Sequence, residues 1–153
     1  MTSPTAPLLD VETASRLRVA IARLSRRLRV TRAGSAAGLT PTGISVLLTV
    51  VRHGPTRLGD LARTENLNPT MLSRVIADLG QAGLLERVSD HGDRRAAWVQ
   101  STAAGSALAQ RMRRERTNAL NSALEGLSDQ DRQLIEQALP ALEGLAEQLR
   151  EGP

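Results

Sequence analysis

Three charged residues, Asp93, Arg94 and Arg95, stand together in the stretch SDHGDRRAAWVQST, residues 89–102. Charged and turn-forming residues lead up to Arg95, and an apolar run with the only tryptophan of the chain follows it. A guanidinium group is planar and permanently charged, and it can bind phosphate or carboxylate through two hydrogen bonds. The pair of arginines therefore indicates recognition of an anion, and the alternative is a solvated turn.

Other site chemistry is largely excluded by composition. The chain has no cysteine, which rules out disulfides, thiol switches and cysteine-ligated zinc. Its two histidines, His53 and His91, have no ligand spacing between them, so we expect no metal site. No paired base and nucleophile and no glycine-rich phosphate loop is present, so we expect neither an enzyme nor a cofactor.

The charges are distributed unevenly along the chain. All twenty basic residues are arginines, and seven of them lie in residues 14–38, which contain no acid. Residues 117–153 hold two arginines against seven acids, so the two ends should attract each other. The arginines near the start are either a solvated helix face or the lining of a crevice for an anionic effector, and we take Arg16, Arg23 and His53 as candidates for such a pocket.

The sequence predicts a mostly helical protein of the cytoplasm. Neither phenylalanine nor tyrosine occurs, so leucine, valine, isoleucine and alanine must fill the core. The first ten residues lack the pattern of a secretory leader, and no apolar run approaches ~20 residues, so we expect no membrane association. Residues 1–10 are predicted to be a flexible arm.

Apolar spacing and capping residues predict the helices that flank the centre of the chain. A helix begins near Val11, and the glycines of residues 34–38 are predicted to end it. A second helix is capped by Thr40, with Pro41 in its first turn. Further helices follow Thr102 and the cap at Ser128. Their apolar stripes require a partner surface, and Pro140 is expected to kink the last of them.

The centre of the chain predicts a helix-turn-helix followed by a β-hairpin. The run TRLGDLARTENL is interpreted as a helix capped by Thr56, and residues 65–67 as a tight turn. Asn68 is expected to cap the next helix, with Pro69 at its first position. The predicted inward-facing residues of that helix are Leu72, Val75, Ile76 and Leu79. Two strand-like runs, LLERVSD and AAWVQS, predict the hairpin.

These elements, in this order, resemble the MarR family of winged helix-turn-helix transcription regulators over residues 15–149. The most specific stretches are LARTENLNPTMLSRVIADLGQAGLLER and DRRAAWVQST, which match the family's helix-turn-helix and wing. The resemblance implies a mainly α fold whose winged core, residues 39–101, binds DNA. It also implies that residues 11–38 and 102–150 are dimerisation helices.

The resemblance assigns roles to individual residues. The recognition helix would be residues 69–81 in the major groove, and Arg95 on the wing would enter a narrow minor groove. Asp93 would brace Arg95 or Arg74, and Arg74 is alternatively only an intramolecular partner. Trp98 would pack the wing or, alternatively, line a ligand site. The implied DNA-binding residues are Asn68, Pro69, Thr70, Met71, Ser73, Arg74, Arg94 and Arg95. Thr56, Arg57 and Ser45 are candidates of lower rank for contacts with the DNA backbone.

The resemblance also implies partners and a mechanism. We expect a homodimer on double-stranded DNA, at a pseudo-palindromic operator whose half-sites are ~10 base pairs apart. The protein would be a repressor that a small anionic or aromatic effector releases. A winged-helix protein that contacts other proteins, or that binds DNA as an architectural factor without operator specificity, is the alternative.

Overall fold

The computed structural model describes residues 9–89 and 97–150, which form seven helices and three short strands. The mainly helical prediction is confirmed. In chain order the elements are α1 (Val11–Arg29), α2 (Arg32–Ala36), α3 (Pro41–His53), β1 (Thr56–Arg57), α4 (Leu58–Thr64), α5 (Pro69–Gln81), β2 (Leu85–Ser89), β3 (Ala97–Ser101), α6 (Ala103–Glu125) and α7 (Asp129–Arg150).

Side-chain caps start several helices where the sequence predicts them. The Thr40 hydroxyl accepts a hydrogen bond from the backbone N–H of Gly43 at 3.0 Å, and Pro41 follows at the first helical position. The Ser128 hydroxyl accepts from the N–H of Asp131 at 3.1 Å. Because the first N–H groups of a helix have no partner within it, each cap satisfies a donor that would otherwise be unpaired.

The glycine-rich segment does not end the first helix as the sequence predicts. The helix α1 already ends at Arg29, and Gly34 lies inside the separate short helix α2. Two acceptors hold α2 at its start. The Thr31 hydroxyl accepts a hydrogen bond from the N–H of Gly34 at 3.2 Å. The carboxylate of Glu115 accepts a hydrogen bond from the N–H of Ala33, also at 3.2 Å. Glu115 lies far along the chain, on α6, so local sequence alone does not indicate this cap.

The predicted hairpin is part of a three-stranded antiparallel sheet in the order β1-β3-β2. The strands β2 and β3 pair in a register that sets Val88 opposite Trp98. Thr56, predicted to cap a helix, instead pairs with Val99 in β1, and its hydroxyl donates to the carbonyl of Gly54 at 2.8 Å. The prediction of Thr56 as a cap is therefore wrong, and α4 begins at Leu58 without a side-chain cap.

One hydrophobic core joins the helix-turn-helix to the sheet and to the first half of α6. The predicted inward face of α5 is confirmed, with Leu72, Ile76 and Leu79 buried. On α3 the completely buried residues include Val46 and Val50, whereas Leu48 and Val51 are half-buried. Buried residues on the other elements are Leu61, Leu84, Leu85, Val99, Leu108, Ala109 and Met112.

The start of α6 is fixed to the loop that follows α5. The Thr102 hydroxyl donates to the carbonyl of Gly83 at 2.6 Å and accepts from the N–H of Gly105 at 3.0 Å. The backbone N–H of Thr102 donates to the carbonyl of Leu84 at 3.1 Å. A β-carbon on Gly105 would lie 2.0 Å from that same Leu84 oxygen, so the close approach of the two backbones requires glycine.

Residues 117–153 form a compact unit separate from residues 1–116. Within it, the guanidinium group of Arg132 on α7 donates to the carbonyls of Leu124 at 3.2 Å and Leu127 at 2.9 Å. The helix α7 runs through Pro140 and exposes a series of large apolar side chains. They are Leu134, Ile135, Leu139, Leu142, Leu145 and Leu149.

Candidate nucleic-acid interface

The helix α5 presents a polar start to the solvent and an apolar face to the core. Its cap is as predicted, since the side-chain oxygen of Asn68 accepts from the N–H of Met71 at 2.8 Å and Pro69 occupies the first turn. Met71 is 51% exposed, so its side chain is open to solvent at this start. The other exposed residues of this start are Asn68, Pro69, Thr70, Ser73 and Arg74. An exposed helix start of this kind can approach base edges and phosphates.

Arg74 is available for binding. Its side chain is exposed, and within residues 9–89 and 97–150 no hydrogen bond or ion pair occupies its guanidinium group. The alternative in which Arg74 serves only as an intramolecular partner thus gains no support from the described residues. Its suggested partner Asp93 lies outside them.

A tight turn positions α5 on the rest of the fold. Asn66 adopts a left-handed conformation with φ of 51°, which asparagine tolerates better than most residues. The N–H of Leu67 donates to the carbonyl of Ala62 at 2.9 Å and closes the turn. The hydroxyl of Thr49 on α3 donates to the carboxylate of Glu65, so a hydrogen bond also ties the turn to α3. The predicted turn over residues 65–67 is therefore confirmed.

The two strands of the predicted wing are present, whereas the charged residues predicted for its tip lie outside the described residues. The strand β2 ends at Ser89 and β3 begins at Ala97, where the two residues pair. Asp93, Arg94, Arg95 and His91 belong to the segment that joins them and lie outside the described residues. Their proposed roles, as wing contacts and brace, stay predictions from the sequence.

Trp98 and Arg57 pack against each other across the sheet. Trp98 is half-buried, and the guanidinium carbon of Arg57 lies 5.1 Å from the centroid of its ring. This cation–π contact agrees with a packing role for Trp98 rather than a place in a ligand site. Arg57 remains exposed, so it can support the sheet and still reach a phosphate, whereas the hydroxyl of Thr56 already has the Gly54 carbonyl as partner.

A cavity of about 570 Å³ lies beside the helix-turn-helix, a volume within the range of small-molecule sites. The guanidinium group of Arg116 donates to the carbonyl of Arg29 at 3.4 Å, while its Nε atom is buried and has no partner among the residues that the structure describes. Burial lowers the pKa of Arg116, because desolvation disfavours the charged form. The lining residues are Ser25, Leu28, Arg29, Pro41, Thr42, Ile44, Ser45, Leu48, Glu65, Leu67 and Arg116.

The residues predicted to hold an effector lie elsewhere. Arg16 and Arg23 line a smaller concavity of about 290 Å³ formed by α1 alone, and His53 is exposed at the end of α3 and lines neither cavity. Arg116 is the cation that sequence reasoning missed. In the sequence, Arg116 could have been singled out because it follows the buried Met112 by one helical turn on α6. Which element it faces, however, depends on the tertiary fold.

The described residues offer no alternative chemistry. Among them, no group of three or more histidine, aspartate or glutamate side chains lies close enough to hold a metal ion. No helix in the described ranges is long and apolar enough to cross a membrane.

Comparisons with known proteins converge on one family. The MarR family model matches residues 39–97. An HTH-type transcriptional regulator of Mycobacterium tuberculosis is 31% identical over 139 residues, which cover 91% of this chain and 96% of the relative. These relatives are regulators of transcription and not enzymes.

Solved structures of other proteins have a similar fold. A transcriptional regulator of Pseudomonas aeruginosa is similar with a TM-score of 0.76 and 26% identity, covering 90% of this chain and 96% of that one. The structure of NadR in complex with 4-hydroxyphenylacetate is similar with a TM-score of 0.59 and 20% identity, covering 93% and 97%. At that identity the likeness to NadR shows the fold alone.

Proposed function

Because this chain belongs to the MarR family of transcriptional regulators, we propose that it binds a pseudo-palindromic DNA operator as a homodimer and represses transcription. The observation that carries the proposal is the exposed, capped start of α5, where Thr70, Met71, Ser73 and Arg74 are open to solvent. The helix dipole and the free charge of Arg74 both favour a phosphate or a guanine edge at this position. Such a regulator binds chromosomal DNA, so we assign the protein to the cytoplasm.

The wing and the flanking residues complete the proposed DNA contact. Arg95 is assigned to a minor groove beside the recognition site and Arg94 to the DNA near it, with Asp93 as the brace of Arg95 or Arg74. Arg57 and Ser45 are assigned to phosphates. Thr56 is given no phosphate contact, because its hydroxyl already donates to the Gly54 carbonyl. Residues 39–101 therefore form the DNA-binding region of the proposal.

Unpartnered apolar residues on the flanking helices support the homodimer. On α1, Val19, Ile21 and Leu24 are exposed, and α7 exposes a stripe of leucine and isoleucine. Large exposed apolar patches are rare on monomers and indicate an interaction surface. Residues 11–38 and 102–150 are therefore assigned to dimerisation, and residues 1–10 to an arm.

The cavity beside the helix-turn-helix is the proposed effector site. The unpaired, buried Nε of Arg116 and the nearby Arg29 favour a small organic anion, and leucine and isoleucine would contact its apolar part. The NadR structure holds such an anion, 4-hydroxyphenylacetate, and this compound is a suitable probe.

The operator proposal is tested by measuring affinity for the DNA upstream of the protein's own gene against affinity for a scrambled fragment, at one salt concentration. We expect a ratio of ~10³ or more, as specific regulators show. A ratio near one would replace the proposal with an architectural or protein-binding role. Sedimentation of the free protein decides the dimer, and a stable monomer at micromolar concentration would contradict it.

The variant Arg116→Met is expected to weaken binding of 4-hydroxyphenylacetate about tenfold or more, because a hydrogen bond to a charged group contributes about 1.5–3 kcal/mol. Thermal stability should change little, since removing the buried Nε offsets the loss of the long hydrogen bond to the Arg29 carbonyl. Calorimetric titration of the probe measures the first effect. Arg16→Met is the matched control, because Arg16 lines the α1 concavity. If this variant, and not Arg116→Met, lost binding of the probe, the effector site would be on α1.

A further inference from the structure

Glu65 belongs both to the proposed effector cavity and to the turn that carries the recognition helix. Its side chain contributes to the cavity wall together with that of Leu67, two residues further along the turn. Its backbone is the C-cap of α4, and α5 begins only four residues later, at Pro69. A displacement of Glu65 is therefore transmitted over a very short segment to the start of α5.

One hydrogen bond ties this turn to α3. The hydroxyl of Thr49 donates to the carboxylate of Glu65, and both side chains are half-buried, where such a bond is less exposed to competition from water. The turn itself has little slack, because Asn66 is left-handed and the N–H of Leu67 is bound to Ala62. The contact from Thr49 thus helps to define where the turn, and hence α5, is held.

The charges around the cavity couple this bond to an anion. The guanidinium groups of Arg29 and Arg116 attract an anion into the same space that Glu65 lines, and the carboxylate of Glu65 repels it. The free energy of the bound state is therefore lower when Glu65 has moved away from the ligand. The Thr49 hydroxyl holds the carboxylate in its present place, so a move large enough to relieve the repulsion strains this hydrogen bond.

We propose that the hydrogen bond between Thr49 and Glu65 is a latch that holds the start of α5 in its DNA-binding position, and that an anion in the cavity opens it. The inference rests on the proposed function, because it gives the regulation of that same site. DNA binding closes the latch. Because the coupling between two binding sites is reciprocal, DNA lowers the affinity for the anion by the same factor by which the anion lowers the affinity for DNA.

Three variants separate the hydrogen bond from the charge. Thr49→Val removes the donor and retains the side-chain shape, whereas Glu65→Gln retains an acceptor and removes the charge. Thr42→Val is the matched control, because Thr42 lines the same cavity from the same helix and takes no part in the latch. Two measurements are made on each full-length protein: operator affinity, and the hydrogen exchange of the backbone amides of Leu67, Met71 and Leu72.

We expect Thr49→Val to lower operator affinity and to speed exchange at the turn by about tenfold, the effect of losing one hydrogen bond to a charged group. Glu65→Gln should lie between wild type and Thr49→Val in both measurements, because a neutral acceptor forms a weaker hydrogen bond than a carboxylate. Thr42→Val should change the exchange of these amides the least, because it leaves the hydrogen bond intact. In wild type, 4-hydroxyphenylacetate should speed the same amides, with a smaller effect in Glu65→Gln and no further effect in Thr49→Val.

The outcomes separate this inference from the proposed function. If the wild-type protein does not prefer its operator, the proposed function fails, and the exchange data still decide whether the latch holds the turn. Wild-type exchange and operator affinity in Thr49→Val would overturn the latch. The latch would also be overturned if 4-hydroxyphenylacetate weakened DNA binding of the Thr49→Val protein as strongly as that of the wild-type protein. The anion would then act by another route.

Discussion

Replacing Gly105 with alanine is expected to lower the free energy of unfolding by about 3 kcal/mol, the upper part of the usual range for overpacking. The added β-carbon would lie 2.0 Å from the carbonyl oxygen of Leu84 and 3.3 Å from a methyl carbon of Leu47. The first of these neighbours is backbone, so it cannot turn aside as a flexible side chain would. The start of α6 must shift, and the two hydrogen bonds of Thr102 to Gly83 and Leu84 weaken with it.

Gly80→Ala is the matched control for this prediction, because it makes the same change in α5 where there is room. The nearest atom to its new β-carbon is the Leu85 oxygen at 3.8 Å, an ordinary contact. Alanine is the better helix former, so this variant should gain about 0.5–1 kcal/mol. Thermal and urea unfolding at one fixed protein concentration measure both variants. Equal stability of the two variants would contradict the close approach of α6 to Leu84.

Local signals in the sequence were sufficient to locate the helix-turn-helix. Asn68 followed by Pro69 defines the start of α5, because a capping side chain and a residue with fixed φ both act within one turn. The apolar spacing of Leu72, Ile76 and Leu79 likewise defines the buried face of that helix. These features depend on neighbours within about four residues, so the sequence alone indicates them.

Elements that depend on distant partners could not be predicted from the sequence. The strand β1 has only two residues, Thr56 and Arg57, and exists because they pair with Val99 and Trp98 on β3. Before that pairing is known, a threonine near the start of a helical pattern is naturally interpreted as a cap. The helix α2 similarly depends on the carboxylate of Glu115, which lies 82 residues away along the chain.

The same limit applies to the proposed effector cavity. The excess of arginine in residues 14–38 suggested an anion site near the first helix, and Arg29 from that segment does line the cavity. Its second cation, Arg116, comes from α6, four residues after Met112, and the sequence alone does not indicate which element that part of the helix faces. Selecting it required the tertiary structure, which buries its Nε atom beside the helix-turn-helix.

Replacing Arg95 with alanine is expected to reduce operator affinity by about 1–3 kcal/mol, or about tenfold to a hundredfold, while the dimer and the helix content stay unchanged. The narrow minor groove concentrates negative potential, so a guanidinium group placed there contributes more than one near an open backbone. The strands on either side of its segment are paired, and removing a side chain between Ser89 and Ala97 leaves that pairing in place.

Arg87→Ala distinguishes groove binding from a general effect of charge. Arg87 is exposed on β2, so this variant removes the same charge from the same pair of strands. Operator affinity is measured for both variants across a range of salt concentrations. If Arg95 only adds positive charge, both variants lose affinity equally and on every sequence. If it enters a minor groove, Arg95→Ala loses more, and the loss is largest on sites flanked by A·T-rich sequence, because narrow grooves occur there.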